Sequence, residues 1–465
     1  MTDKLTWADH QVFDSGDGAI LLGVEHASLF AIDAPTRDVI NRWADSDCLD
    51  LEQVPAADRD LLEGLRNALI LEPVQSDRRS VESCPDPRDI PLSTMVLEVA
   101  QDCNLRCRYC YADGGSYGEE PRLLDTETAR KAVRHLIEAS AEQKEVTLVL
   151  FGGEPLLNMP AVKAAVEELE KQAALTGKKA VVSLTTNGTL LNAETVAYLH
   201  KHKVSVALSL DGPIDLHDAN RSDACGEGTY NKIVAQLPGL LQGSPNPVAA
   251  RVTLLPEQWA RTEEVFWHLL ELGLHEVGIA PASPVTKAML PDAAQEDLLF
   301  QGFEALGRHF VAAAKKGKIL PFTNLIDLLG RLHVGQAKHI SCGAGLGYLA
   351  VDAVGDFFLC HRLTGEEPFM SGDLDNGRDA ERITSCLEHV TAGQKQACDK
   401  CWARTLCSGG CHYENYIRET KLGLPFGSNC SFVLRWLQLG IELYVELRNS
   451  DADALLDRLG KRISC

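Results

Sequence analysis

The stretch that decides the fold is TMVLEVAQDCNLRCRYC, residues 94–110, in which an apolar run leads into three closely spaced cysteines. The run at 94–99 predicts a buried β-strand. Cys103, Cys107 and Cys110 follow it, separated by three and then two residues. A structural zinc site needs four ligands, whereas a tripod of thiolates suits a [4Fe–4S] cluster with one iron open to an exchangeable ligand. Three ordinary loop thiols or an incomplete zinc site are the alternatives on spacing alone.

Five more apolar runs follow the first, each leading into a helical pattern. They are VTLVLF (146–151), AVVSL (180–184), VSVALSL (204–210), AARVTL (249–254) and EVGIAP (276–281). Periodicity predicts helices at 125–142, 159–175, 193–202, 230–241, 261–272 and 295–315. Six such units predict an α/β fold with a parallel sheet, open or curled into a partial (β/α)6 barrel. Ligands then bind beyond the carboxyl ends of the strands.

The chain divides into four segments by pattern. Residues 1–75 alternate briefly and then turn helical, which predicts a small hairpin-and-helix domain, and residues 76–92, rich in Pro, Ser and charge, predict a linker. The barrel spans 93–320. In the last segment, 321–465, regular elements are few, cysteines cluster, and a long helix from 431 to about 448 precedes a short one at 452–460.

Composition narrows the classes of function. The 465-residue chain carries a net charge of −21, and this acidic surface disfavours nucleic-acid binding. Its mean hydropathy is −0.10, and it has no apolar run long enough to span a membrane. The polar N-terminus shows no export signal, so we expect a cytoplasmic protein. Fifteen cysteines in that reducing compartment favour metal sites over disulfides.

Three further motifs follow successive strands and, with the first cysteines, resemble the radical S-adenosylmethionine (SAM) superfamily. They are FGGEP after the second strand, TTNGT after the third, and SLDGPIDLHDANR after the fourth. The last of these carries Ser209 and Arg221. Each alone is weak, since GGEP is a common turn sequence. By this resemblance the cluster ligands are Cys103, Cys107 and Cys110, and the SAM-binding residues are Tyr109, Gly152, Gly153, Glu154, Thr186, Asn187, Ser209 and Arg221.

The resemblance also implies roles. Glu154 would accept from the methionyl ammonium group of SAM, and the Gly pair before it would let the backbone approach closely. Ser209 and Arg221 would bind the SAM carboxylate, and Tyr109 would lie against the adenine. The family reduces SAM to a 5′-deoxyadenosyl radical, which abstracts hydrogen from the substrate.

The second cysteine cluster is CDKCWARTLCSGGC, residues 398–411. Taken alone, this spacing suits a zinc knuckle. Together with Cys342, Gly355, Cys360 and Cys430, it resembles the SPASM pattern, which holds two auxiliary [4Fe–4S] clusters, for three clusters in all. By resemblance, the outer cluster is held by Cys398, Cys401, Cys407 and Cys430, and the inner one by Cys342, Cys360 and Cys411. The inner cluster then has an open iron or takes Cys386 or Cys225 as its fourth ligand.

The substrate class is indicated by two stretches. ILLGVEHASLFAIDAPTRDVINRWAD (20–45) is similar to the winged-helix-like peptide-recognition domain of ribosomal-peptide maturases, to which a leader peptide adds as a strand. CNLRCRYCYADGGSYG (103–118) resembles the thioether-forming maturases that act on the small γ subunit of quinohemoprotein amine dehydrogenase. This implies cross-links from Cys sulfur to a methylene carbon of Asp or Glu in a leader-bearing precursor, here the γ subunit. A flavodoxin or ferredoxin would be the reductant.

Several alternatives stay open. His361, directly after Cys360, is a candidate general base by position, or an ordinary packed histidine. A sulfatase-type formylglycine maturase and a carbon–carbon cross-linking maturase share the same core. A zinc protein or an electron-transfer protein is the non-enzyme alternative.

Overall fold

The structure is a computed structural model that describes residues 4–15, 18–74, 84–286, 289–388, 390–391, 394–395, 397–420, 422, 427–450 and 452–463. Residues 76–83 of the predicted linker lie outside these ranges. Among the described residues, no helix combines the length and the apolar character that a membrane crossing requires.

The N-terminal segment is a small sheet backed by two helices. A three-stranded antiparallel sheet has the order β2–β3–β4, and a separate antiparallel pair joins β1 to β5. Asp33 caps the first helix by accepting from the Thr36 N–H. The elements are β1 Leu5–Trp7, β2 His10–Ser15, β3 Gly18–Gly23, β4 Ser28–Ile32, α1 Ala34–Trp43, α2 Ala56–Asn67 and β5 Leu71–Pro73.

The six predicted barrel strands form one parallel sheet in the order β14–β13–β11–β10–β9–β6. The strands are β6 Thr94–Gln101, β7 Leu105–Cys107, β8 Arg122–Leu123, β9 Glu145–Gly152, β10 Lys179–Thr186, β11 Ser205–Ser209, β12 Arg221–Asp223, β13 Ala249–Leu254 and β14 Glu276–Pro281. The helices are α3 Thr126–Ala139, α4 Met159–Thr176, α5 Ala193–Lys201, α6 Ile214–Asn220, α7 Tyr230–Val234, α8 Leu237–Leu241, α9 Thr262–Glu271 and α10 Ala293–Ala314.

The single helix predicted at 230–241 is wrong, since two short helices occupy this stretch. Pro238 lies in the first turn of α8. Its ring has no N–H to donate and would clash with the carbonyl one turn earlier, so the first helix ends before it.

The C-terminal segment extends the barrel sheet instead of standing apart from it. Strand β15 pairs with β6 in parallel, and β16, β17 and β18 continue the sheet in antiparallel order. Gly355, at φ +99°, turns β15 into β16, and Asp352 accepts three N–H groups of that turn. The elements are α11 Thr323–Val334, β15 Tyr348–Val351, β16 Asp356–Phe358, β17 Met370–Asp373, β18 Gly377–Arg378, α12 Ala380–Cys386, α13 Arg404–Cys407, α14 His412–Glu419, α15 Gly427–Arg448 and α16 Asp453–Ile463.

One face of the N-terminal sheet packs on the short helix α13 and the residues before it. Phe13 meets Trp402 edge-on, with ring centroids 5.0 Å apart. Arg404, which is 8% exposed, donates from Nη2 to Asp9 at 2.7 Å and also to Glu25. The N-terminal sheet and the second cysteine cluster therefore share a core.

Candidate active site

The first cysteine loop leaves β6 and folds back against the ends of β9 and β12. Strand β7 pairs with β12, which sets Cys107 opposite Arg221. The Cys103 N–H donates to Asp102 Oδ1 at 2.8 Å. A Cβ on Gly153 would lie 2.2 Å from the Asp102 carbonyl oxygen. Only glycine allows the FGGEP turn to approach the loop this closely.

A cavity of about 590 Å³ opens over this loop, at the carboxyl ends of the barrel strands. Its wall is built from the loop, from the ends of β9, β10, β11, β13 and β14, and from the segment after Cys360. The sequence-predicted residues that line it are Cys103, Cys107, Cys110, Tyr109, Gly152, Gly153, Thr186, Asn187, Ser209, Arg221 and His361.

Glu154 follows the two cavity glycines but is not among the residues that line the cavity. The carboxylate is fully buried and accepts from Thr186 Oγ1 at 2.7 Å, from the Asn187 N–H at 2.7 Å and from the Leu156 N–H at 3.0 Å. Burial raises its pKa to about 7. Through these contacts Glu154 supports the Thr186–Asn187 loop, and its contact with the SAM ammonium group stays a prediction.

Arg221 is held at the cavity wall by a buried carboxylate. Asp211 accepts from its Nε at 3.0 Å and from its Nη2 at 3.2 Å, and it also accepts from the Tyr109 hydroxyl. The backbone N–H of Thr253 donates to the same carboxylate at 3.0 Å. Since Asp211 is fully buried and Arg221 is 7% exposed, this ion pair fixes the guanidinium with little freedom to move.

Several cavity residues were missed from the sequence. They are Tyr111, Arg251, Thr253, Ser283 and Arg362. Arg251 and Thr253 alternate with buried residues along β13, and this period of two is a signal that both face the barrel interior. Ser283 and Arg362 lie outside regular elements, and no pattern in the sequence marks them.

His361 lines the cavity, but its environment does not suit a strong base. Its Nδ1 is hydrogen-bonded to the Tyr348 hydroxyl and lies 3.7 Å from Cys360 Sγ. Burial, with a smaller contribution from the Arg362 charge, lowers the pKa of the imidazole to about 3. The ring is therefore neutral near pH 7, and it positions neighbouring groups more readily than it takes up a proton.

The four outer cysteines surround a second cavity, of about 150 Å³. Apolar side chains and the glycines after Cys407 complete its wall, together with Arg404. The cysteines that line it are Cys398, Cys401, Cys407 and Cys430.

A buried lysine lies among the C-terminal cysteines. Lys395 is 2% exposed, and its Nζ donates to the Gly409 carbonyl at 3.0 Å. No carboxylate of the described residues pairs with this ammonium group. Burial lowers its pKa, and the thiols of Cys398, Cys407, Cys342 and Cys430 oppose that shift. A buried cation needs counter-charge, so these surroundings fit thiolates that carry negative charge.

The three inner cysteines interact with one another. Burial raises the pKa of Cys360 to about 12, and the thiols of Cys411 and Cys342 contribute to the increase. Of the two fourth-ligand candidates, Cys386 packs against the same apolar cluster as Cys360 and donates to the Pro368 carbonyl at 3.2 Å. Cys225 is exposed in the turn after β12, on the side of the first cysteine loop.

No group of three or more His, Cys, Asp or Glu side chains in the described ranges is arranged around one metal ion. A zinc site brings four donors to within about 2.3 Å of one ion. In a four-iron cluster each thiolate binds its own iron, so the cysteines surround a volume. Cys398, Cys401, Cys407 and Cys430 all line the outer cavity.

The comparisons agree with this geometry. Residues 97–266 match the profile of the Radical SAM superfamily. The cysteine-type anaerobic sulfatase-maturating enzyme of Clostridium perfringens is 30% identical over 146 residues, which cover 31% of this chain and 39% of that relative. The aligned part thus spans well under half of that enzyme.

Two solved structures share the fold. Native anSMEcpe with bound AdoMet superposes with a TM-score of 0.65 at 19% identity and covers 77% of this chain and 100% of its own. SuiB of Streptococcus suis, bound to its precursor peptide SuiA, gives a TM-score of 0.54 at 16% identity and covers 91% of this chain and 99% of its own. The cysteine loop, the cavity above it and the family match agree with one another: residues 97–266 of this chain match the Radical SAM superfamily model, and the chain shares the fold of these two structures.

Proposed function

We propose that the chain is a radical SAM maturase that joins Cys sulfur to a methylene carbon of Asp or Glu in a small, leader-bearing precursor. The observation that carries the proposal is the common cavity, in which ten of the residues expected to hold the cluster or SAM line one wall. Names of similar proteins support the substrate class, since one is a sulfatase-maturating enzyme and another was solved with a precursor peptide.

The first cysteine loop fits a [4Fe–4S] cluster. Cys103, Cys107 and Cys110 reach the cavity from one loop, and the three thiols leave one coordination position open for SAM. Gly153 lets the FGGEP turn approach Asp102, the residue before Cys103, where a Cβ would clash with the Asp102 carbonyl. Cluster and SAM together supply hydrogen-atom abstraction from a substrate C–H bond.

The chain's own residues orient the reactants and exclude water. Arg221, fixed by Asp211, presents a guanidinium to a carboxylate in the cavity, and Ser209 adds a hydroxyl beside it. Phe151 and Pro281 form apolar parts of the wall. A reactive carbon centre needs such a dry enclosure to avoid side reactions.

The C-terminal cysteines would hold two further [4Fe–4S] clusters, whose role is electron transfer. The outer set fits such a cluster because four thiols line one cavity next to a buried cation. The inner set supplies three thiols and leaves the fourth position to an open iron or to Cys386. A flavodoxin or ferredoxin would deliver the electrons.

The N-terminal sheet would bind the leader of the precursor. In the described residues β4 pairs with β3 alone, so one of its edges is free for strand addition. The expected precursor is the γ subunit of quinohemoprotein amine dehydrogenase.

Anaerobic reconstitution tests the cofactors. Three clusters require about twelve irons per chain and no zinc, with release of 5′-deoxyadenosine that depends on dithionite. Zinc in place of iron, or no SAM cleavage, would refute the enzyme assignment.

Mass spectrometry of the co-expressed γ-subunit precursor tests the reaction. Each thioether removes two hydrogens and protects one cysteine from alkylation. A precursor that keeps its mass would refute the thioether assignment.

A formylglycine-forming maturase is the second candidate, because the 30% identical relative is a sulfatase-maturating enzyme. That reaction oxidises a single side chain to an aldehyde. A product that reacts with a hydrazide probe and contains no cross-link between two residues would favour the formylglycine reaction.

The leader site is tested by Ala31→Lys in β4, since a charged side chain on an edge deters strand addition. Ala31 is exposed, and so is Ala57 on α2, which makes Ala57→Lys the matched control. We expect weaker precursor binding for Ala31→Lys alone, with SAM cleavage intact in both. Equal binding by the two variants would contradict strand addition at β4.

A further inference from the structure

Among the described residues, the cavity over the first cysteine loop is lined by three arginines, Arg221, Arg251 and Arg362, and by no Asp or Glu. This contrasts with the chain as a whole, whose net charge is −21. Arg221 is already paired with Asp211 and accounts for one carboxylate, that of SAM in the proposed function. Arg362 shares the single carboxylate of Glu414 with Arg418, and Arg251 forms no ion pair with a described residue, so positive charge remains for another anionic group.

Arg362 is held in a fixed orientation at the wall. Its guanidinium lies 4.1 Å from the Tyr413 ring centroid and 5.0 Å from that of Tyr111. Its Nη2 donates to Glu414 at 3.1 Å and to the Ser283 hydroxyl. These four contacts leave the planar group little freedom, so it is organised in advance for a ligand.

Arg362 also has donor capacity that the described residues do not use. Its Nε is buried and has no hydrogen-bond partner in that part of the chain. Leaving a buried donor unpaired costs free energy, and a carboxylate in the cavity would remove that cost by accepting from it. Arg251 faces the same cavity from β13, where Gly278 on the adjacent strand leaves space for its side chain.

The position of Arg362 matters as much as its charge. Its backbone N–H donates to Cys360 Sγ at 3.5 Å, so it stands between the cavity and the inner cysteines. A side chain bound here lies over the first cysteine loop at one end and close to the inner thiols at the other.

We propose that Arg362 and Arg251 form a carboxylate subsite, which binds the Asp or Glu side chain of the substrate and presents its methylene group to the first cysteine loop. The inference rests on the proposed function and adds to it the residues that recognise the acceptor. It also gives a physical reason for an acidic acceptor, because asparagine or glutamine would bring no negative charge to the two guanidiniums.

The test uses the reconstituted holoenzyme with SAM and two small probes, N-acetyl-aspartate amide and N-acetyl-asparagine amide. Their affinities are compared by saturation-transfer NMR for the wild type and for Arg362→Gln. Hydrogen bonds to charged groups predict that the aspartate probe binds the wild type about tenfold or more tightly than the asparagine probe. Arg362→Gln should abolish this preference, and Arg362→Lys should retain part of it.

Arg418→Gln is the matched control. Arg418 donates to the other carboxylate oxygen of Glu414, and its substitution removes the same charge. Arg418 is not among the residues that line the cavity. We expect it to keep the preference for aspartate. No preference in the wild type, or an undiminished preference in Arg362→Gln, overturns the inference. Failure of the proposed function looks different, because the wild type would then prefer aspartate yet neither cleave SAM nor modify a precursor.

Discussion

The ion pair between Asp211 and Arg221 gives the sharpest quantitative prediction. Asp211→Asn keeps the shape of the side chain but removes its charge and turns one acceptor oxygen into an NH₂ group. That group would face donors of Arg221, which lie 3.0 and 3.2 Å from the carboxylate. The side chains of Asp211 and Arg221 are 0% and 9% exposed. Breaking a pair this buried costs about 3–5 kcal/mol, because a desolvated cation is left unpaired.

Asp215→Asn is the matched control, since Asp215 lies four residues later, in the first turn of α6, and pairs with Arg261. There the side chains are 64% and 33% exposed. Solvent screens such a pair, so its loss costs at most about 1 kcal/mol. The two substitutions thus change the same chemical group four residues apart and differ in burial.

Hydrogen exchange followed by mass spectrometry measures the difference locally. At about 1.4 kcal/mol per factor of ten, Asp211→Asn should speed exchange in peptides covering 205–223 and 249–254 by roughly two to three orders of magnitude, where local opening governs exchange. Asp215→Asn should change it by less than about fivefold. The affinity for SAM should fall for Asp211→Asn alone. Equal exchange rates in the two variants would refute the idea that this buried pair holds the cavity wall.

Three further outcomes are expected. Burial lowers the pKa of His217 from 6.5 to about 4, so its ring is neutral in the folded chain near pH 7. Its contribution to the free energy of unfolding is therefore fully present above pH 6.5 and should be lost as the pH falls to about 4. The melting temperature measured as a function of pH checks this, and the pH dependence should be weaker in His217→Asn. Gly153→Ala should lower iron content and melting temperature, since its Cβ would lie 2.2 Å from the Asp102 carbonyl oxygen. Gly177→Ala, which meets no atom within 4 Å, should cost only about 1 kcal/mol and keep its iron. Trp402→Ala should loosen the N-terminal sheet, because it removes the ring that meets Phe13 edge-on. Faster hydrogen exchange in peptides covering 18–32 would show this, and unchanged exchange would contradict that packing.

Much of the barrel could be predicted because its signals are local. Two of the six strands, β13 and β14, have the predicted bounds, and the others differ by one or two residues at an end. Buried parallel strands appear in the sequence as apolar runs. Because the carboxyl ends of parallel strands lie at the same edge of the sheet, the residues that follow them line one cavity. The break between α7 and α8 also has a local signal, Pro238. Because proline has no N–H to donate inside a helix, this residue alone predicts the break.

Pairings between distant residues could not be predicted. Strand β15 joins β6 across roughly 250 residues of sequence, and a four-residue run gives no sign of its partner. The same limit applies to Glu154, whose motif position suggests a ligand contact. Its hydrogen bonds to Thr186 and Asn187 depend on how two loops meet. Arg362 shows no periodicity at all, and its importance follows only from the rings and carboxylate around it.

The packing of the N-terminal sheet on α13 has a consequence for engineering. Asp9 and Glu25 bond a guanidinium that lines the cavity of the outer cysteines, so the segment that would select the precursor is also part of that cavity's surroundings. A chimaera that replaces residues 4–74 to retarget the chain would leave Arg404 without its carboxylates and Trp402 without its aromatic neighbour. Such modules cannot be exchanged as independent parts, and a transplant has to carry the matching α13 surface with it.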